Sequence, residues 1–192
     1  MSSSDDYAAA KARYARIRHA AFTLTETDAV RLGISPRRFR LTDLDEAALT
    51  TWRRTWIDRH PTGSGGWDWD VISRPFRKNP AAFHLALWSG PKLCGLSVGS
   101  LSRKRPAGEG SVLCIHYIES APARDHPMKG KVALIVLTAA EAYAWALGVS
   151  ILRVSNPLDG ALPIYLKLGF SVARDANGAV YCEKRLGGEM NE

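Results

Sequence analysis

The feature that most constrains this chain runs from Ser111 to Phe170. SVLCIHYIES, Ser111 to Ser120, reads as a strand, and APARDHPMKG after it as a tight loop. A helix begins near Gly130 and continues through VALIVLTAAEAYAWAL. SILRV, Ser150 to Val154, is the next strand, and DGALPIYLKLGF adds a short second helix. A strand–loop–helix–strand order with a lone glycine at the helix start aims backbone amides at an anion. The rest of the chain has to support this block or select what meets it.

The segments around it are consistent with one domain. At 192 residues the chain can bury a full core. Hydrophobic residues make up 46% and charged residues 23%, an ordinary globular balance. A net charge of +7 fits an anionic cofactor, nucleic acid or simple solubility equally well. Cys94, Cys114 and Cys182 lie in expected strands without metal-ligand spacing, which reads as free thiols with no metal site. No run approaches the ~18 apolar residues of a membrane span, so no membrane partner is expected. MSSSDDYAAAKARY has no apolar signal core, which makes the cytoplasm the default compartment.

Residues from Ser4 to about Ala21 read as a helix whose apolar stripe is Tyr7, Ala10, Tyr14, Ile17 and Ala21. Lys11, Arg13, Arg16 and Arg18 lie mostly off that stripe, as a solvated basic face or a nucleic-acid or partner contact. ISPRRFRL, Ile34 to Leu41, has the composition of a short strand. Thr42 then stands where it can cap a helix over DLDEAALTTWRRTWIDRH, with Asp45 three residues on. Leu44, Ala48, Trp52 and Trp56 share one face of that helix and read as core.

PTGSGGWDWD, Pro61 to Asp70, breaks regular structure with three glycines. Trp67 and Trp69 alternate with Asp68 and Asp70. The rings and carboxylates could cradle a cationic acceptor, or the rings could anchor the loop while the acids are solvated. AAFHLALW and LCGLSVGSLSR, joined by a turn at Gly90 and Pro91, form an expected antiparallel hairpin. RKRPAGEG connects it to the strand at Ser111, and SVARD and AVYCEKRL make a last hairpin around DANG.

Helix, hairpin, third strand, loop–helix, strand, helix, hairpin is an order that resembles the GNAT (GCN5-related N-acetyltransferase) family. YLKLGF, Tyr165 to Phe170, is similar to that family's tyrosine-x-x-x-glycine-phenylalanine segment, with Ala161 four residues upstream. IESAPARDHPMKGKVA resembles its strand-to-helix junction, and the order matches over roughly Phe83 to Leu186. The resemblance implies an α/β (α+β) fold: a mixed, mostly antiparallel sheet of six or seven strands with helices on both faces. Residues 1–192 would form one acyltransferase domain with a helical extension at about 1–33.

The same resemblance implies acetyl-CoA as co-substrate and direct transfer of its acetyl group to an amine. No nucleophile motif such as G-x-S-x-G points to a covalent intermediate. The amides of Lys129, Gly130, Lys131 and Val132 would receive the pyrophosphate at the helix start. Ile118 and Ser120, flanking Glu119, and Asn156 would line the thioester and pantetheine arm, with the strand after the helix splaying from Ser111–Ser120 to admit it. Tyr165, with an ordinary phenol pKa of about 10, would give a proton to the departing thiolate. Glu119 at the strand end would draw the proton from the amine, and His116 lies on the opposite face by strand parity.

The chain departs from the family pattern at two places. Pro127 stands where a long polar residue is usual, and Val132 where glycine or alanine is. That departure motivates a non-catalytic coenzyme-binding module as one alternative. The basic balance and the Arg-rich first helix motivate another, an RNA-directed acetyltransferase of toxin type acting on aminoacyl-tRNA. The favoured acceptor is a small-molecule or protein amine, and the resemblance allows a homodimer.

Overall fold

The structure is a computed structural model that describes residues 3–31, 33–34, 39–60, 65–102 and 110–187. Apolar runs over 83–101 become the centre of a seven-stranded sheet because helices cover both of its faces, which removes the need for strict alternation. Strands β1 (Arg40–Thr42), β2 (Phe83–Ser89), β3 (Lys92–Ser102) and β4 (Val112–Ser120) follow one another antiparallel. β5 (Ile151–Ser155) is parallel to β4, and β7 (Val180–Arg185) lies between β5 and β6 (Ser171–Arg174). The mixed, mostly antiparallel sheet expected from the sequence is therefore present, with seven strands.

Helices α1 (Ser3–Thr27) and α5 (Val132–Ala146) pack on one face, around a core that includes Phe22, Phe83, Ile135 and Tyr143. Helices α2 (Glu46–Thr55), α3 (Trp69–Ile72) and α4 (Arg74–Lys78) pack on the other, around Trp52, Trp56 and Trp69. α6 (Leu162–Lys167) closes the edge of the first core beside β5. Ala48 and Trp52 of α2 are buried, and so are Leu44 and Trp56, which flank the helix rather than belong to it. Cys94 and Cys182 are buried thiols, and Cys114 is half-buried.

Four local expectations change. The helix after β1 is capped by Asp45, whose carboxylate accepts the Ala48 N–H at 2.9 Å, while Thr42 ends β1. The first strand is shorter than Ile34 to Leu41, and residues 35–38 lie outside the described residues. Within the described residues, α1 runs six residues past Ala21. Its Arg18 is not on a solvated face: at 3% exposure it holds Asp43 through two N–H groups and caps the carbonyls of Pro80 and Ala82. Arg103, Lys104 and Arg105 lie outside the described residues.

Candidate functional site

The site is built where the sheet opens. β4 and β5 are paired only from Val112–Ile151 to Ile115–Val154, although β4 continues to Ser120. From His116 onward one edge of β4 has no strand beside it, and its backbone groups face whatever fills the gap. The β3–β4 ladder slips at the same level: Val98 faces Tyr117 and Gly99 faces Ile115. His116 is thus the extra residue of a β-bulge, which resets the alternation of side chains. Parity placed His116 and Glu119 on opposite faces, but the bulge puts both against the α2–α4 layer. The His116 ring packs 5.4 Å from Phe76, and Glu119 receives the Trp69 indole N–H. His116 also bonds Ser100 Oγ at 2.7 Å and approaches Ser155 Oγ at 3.3 Å, bracing the point of divergence. Burial lowers the pKa of its ring.

A cavity of about 380 Å³ occupies the gap. Ile118 and Ser120 of β4, Val132 and Ala133 of the first turn of α5, Ser155 and Asn156 at the end of β5, and Tyr165 of α6 all line it. The N–H groups of 132–134 have no acceptor within α5, whose first turn closes with Ile135 N–H on Lys131 O. Gly130, at φ +74°, makes the bend that α5 leaves from, and open space lies where its Cβ would stand. The Lys129 and Lys131 amides donate back to His126 O and Met128 O, while the Lys131 ammonium reaches Gly33 O at 3.0 Å. Asn156 turns the chain away from β5 at φ +46°, its N–H on Val180 O. The Val132 side chain is buried and packs over Gly95 of β3. Among the described residues, the unpaired edge of β4 and the first turn of α5 share this cavity, which suits a chain with amide groups and an anion.

Tyr165 owes its place to the end of α6. Phe170 N–H returns to Tyr165 O at 3.1 Å, and Gly169 N–H to Leu166 O at 3.0 Å, with Gly169 at φ +82°. That is a Schellman ending, and the Tyr165 and Phe170 rings, 6.2 Å apart, make its hydrophobic contact. The spacing in YLKLGF is the spacing such an ending needs. Burial pushes the Tyr165 phenol up to about 12, so it keeps its proton throughout the physiological range.

Glu119 is 3% exposed. One carboxylate oxygen accepts the Gly66 N–H and the other the Trp69 indole N–H. His60 Nε2 stands 3.0 Å from the first oxygen. Gly65 and Gly66 both have positive φ, and a Cβ on Gly65 would lie 2.7 Å from Glu119 Oε1, so the loop closes on the carboxylate only because glycine is there. Trp69 is fully buried. Asp68 caps α3 by accepting the N–H groups of Asp70 and Val71, and Asp70 forms a two-pronged pair with Arg53. Residues 61–64 lie outside the described residues.

Two further cavities adjoin the first. One, of about 450 Å³, is lined by His60, Glu119, Ser120 and the loop from Ala121 to Lys129. The other, of about 590 Å³, has Trp52, Trp56 and Trp67 rings with Asp58, Asp68 and Asp70 around it. Trp67 lines all three, its ring edge-on to Tyr117 at 5.2 Å. The sequence reading missed His60, Tyr117, Asp58 and the structural use of Gly65, and put His116 on the wrong face. A lone histidine at the end of WIDRH, directly before a glycine-rich loop, was the signal available for His60.

No protein-family model matches the chain, and no curated protein matches it in sequence. Solved structures do match it in fold. Ard1 from Thermoplasma volcanium is similar over 79% of this chain and 99% of its own, at 12% identity and a TM-score of 0.56. The ribosomal-protein-S18-alanine N-acetyltransferase from Escherichia coli covers 80% of this chain and 98% of its own, at 13% identity and a TM-score of 0.54. A tyrosine-to-phenylalanine mutant of the AtaT toxin, bound to the C-terminus of the antitoxin AtaR and acetyl-CoA, covers 78% and 94%, at 13% identity and a TM-score of 0.52. The chain has the GNAT acetyltransferase fold.

Proposed function

We propose that this chain transfers an acetyl group from acetyl-CoA to the amino group of a cationic acceptor, without a covalent enzyme intermediate. The observation that carries the reading is the split between β4 and β5, whose cavity gathers Ile118, Ser120, Val132, Asn156 and Tyr165 from four separate elements. Bound acetyl-CoA would supply the activated thioester. The α5 N-terminus would hold the pyrophosphate, and the unpaired edge of β4 would pair with the amides of the arm. Tyr165, protonated and lining the slot, would give its proton to the leaving sulfur.

The acceptor would enter from the side of the three tryptophans. That cavity offers ring faces and the Asp58 carboxylate to a cation, while Asp68 and Asp70 are already engaged by α3 and Arg53. The amine proton would leave toward Glu119. The test is direct. Acetyl-CoA at ~100 times its dissociation constant should stabilise the fold by about 2.7 kcal/mol, read as a rise of roughly 5–10 °C in melting temperature. No rise at millimolar acetyl-CoA would overturn the reading.

A further inference from the structure

Glu119 is poorly placed to meet an amine itself. It is 3% exposed, and its two oxygens are taken by a backbone amide and an indole. Glu119 lines the cavity beside Ser120 but not the acceptor-side one, where His60 stands instead. Its side chain is 12% exposed, its Nε2 is 3.0 Å from Glu119 Oε1, and its ring lines both the acceptor-side cavity and the one beside Ser120. Nε2 is buried and makes no hydrogen bond among the described residues, so its approach to Glu119 is a close charge contact, not an aligned N–H···O bond, while Nδ1 lies over the bare α-carbon of Gly65. A Cβ there would lie 2.8 Å from Nδ1. The Trp56 ring, edge-on at 6.0 Å, fixes the third side.

We infer that His60 Nδ1 is the atom that accepts the amine proton, and that Glu119 acts through it as a positioning residue. The inference rests on the acetyl-transfer reading. A carboxylate 3.0 Å from Nε2 favours a proton on that nitrogen, which leaves Nδ1 with its lone pair, and it stabilises the imidazolium once the proton arrives. In the step, the amine lone pair forms the new C–N bond and the C–S bond breaks with its pair on sulfur. Sulfur takes the Tyr165 proton, and one amine N–H proton passes to His60 Nδ1. The phenolate and imidazolium then return to their starting forms by exchange with water. The Gly65–Gly66 pair, Trp69 and Glu119 thereby acquire a common purpose, which is to set the angle of one imidazole.

The experiment has two arms. In the free protein, ¹⁵N shifts of the His60 ring at neutral pH should show Nε2 protonated and Nδ1 bare, and Glu119→Gln should destroy that preference. A His60 ring protonated at Nδ1, or one indifferent to Glu119→Gln, would overturn the inference. In the second arm, wild type is given acetyl-CoA with a panel of spermidine, agmatine, tyramine and a lysine-rich peptide. On the amine turned over, His60→Ala should lower kcat/KM by ~100-fold or more while acetyl-CoA still binds, and millimolar imidazole should restore ~10-fold. His60→Gln, which keeps the bulk of the ring, should lose as much should the alanine variant fold poorly. Turnover within threefold of wild type in either folded variant would overturn the role. Absence of turnover by wild type with every amine would overturn the acetyl-transfer reading itself and His60's role with it. The tautomer arm would still report whether the His60–Glu119 pairing exists.

Discussion

The Cγ1 of Val132 lies 2.6 Å from the point where a Cβ on Gly95 would stand. The two positions are a matched pair. A branched side chain occupies the first turn of α5, and β3 makes room for it by carrying none. Val132 Cγ1 therefore points into the sheet. The departure from glycine or alanine at 132 is absorbed by packing.

Gly95→Ala should therefore cost about 1–3 kcal/mol by overpacking. Adding Val132→Ala should recover most of that loss. Urea unfolding of the two single variants and the double variant would give a coupling energy. Additive losses would show that the two residues do not share the space.

Tyr165→Phe keeps the ring and its contact with Phe170 but removes the phenol proton. The phenol titrates near 12, so it is in the acid form across any working pH. Turnover should fall by at least about tenfold with acetyl-CoA affinity unchanged, the pattern of a contact made in the transition state. Steady-state kinetics with calorimetric coenzyme binding would check it.

His84 predicts an acid-sensitive fold. Burial holds its ring pKa at about 4, and Leu44 N–H donates to its Nδ1 at 3.3 Å. The unfolded chain binds a proton near 6.5, so between about 6.5 and 4 it holds more protons than the native state, and stability falls as pH falls. The loss is on the order of 3 kcal/mol at the lower end. Asp43, held below its ordinary value by the Arg18 guanidinium against the opposing effect of its own burial, adds a further loss as pH drops below about 4. His84→Asn keeps an acceptor for Leu44 and should flatten the upper part of a melting-temperature–pH curve.

Arg18→Leu should destabilise by roughly 3–5 kcal/mol, because Asp43 and the carbonyls of Pro80 and Ala82 lose their donor together. Chemical denaturation would measure it. A neutral result would restore Arg18 to the surface face that its spacing suggested.

Asp58→Asn should raise the KM for a cationic acceptor several-fold and leave that for acetyl-CoA unchanged. Asp58 already adopts φ +58°, which asparagine tolerates, so the change tests charge alone. The same exchange at Asp68 should also lower stability, since that carboxylate caps α3.

The element order from β2 to β7 was legible because β2, β3, β4 and α5 are long and strongly patterned, and the shorter elements after them are marked by local motifs and turns. α3 and α4 were not, since four and five residues carry no helical period. The slot residues were found through local motifs: YLKLGF encodes its own helix ending, and Gly130 its own bend. What sequence could not give was anything set by a break in regularity or by distant partners. The bulge at His116 shifts the face of a whole strand end. Asp70 is spent on Arg53, Trp69 and His60 meet Glu119 from 50 and 59 positions away, and Arg18 meets Asp43 across 25.

Trp67 forms part of the wall of all three cavities. On the acetyl-transfer reading, a wall shared in this way would link the equilibria of the two substrates. A coenzyme arm that fixes the ring from one side alters the surface an acceptor meets on the other, and the coupling free energy is the same in both directions. Donor affinity should then depend on whether acceptor is present, and acceptor affinity on donor by the same factor, through the position of a single indole.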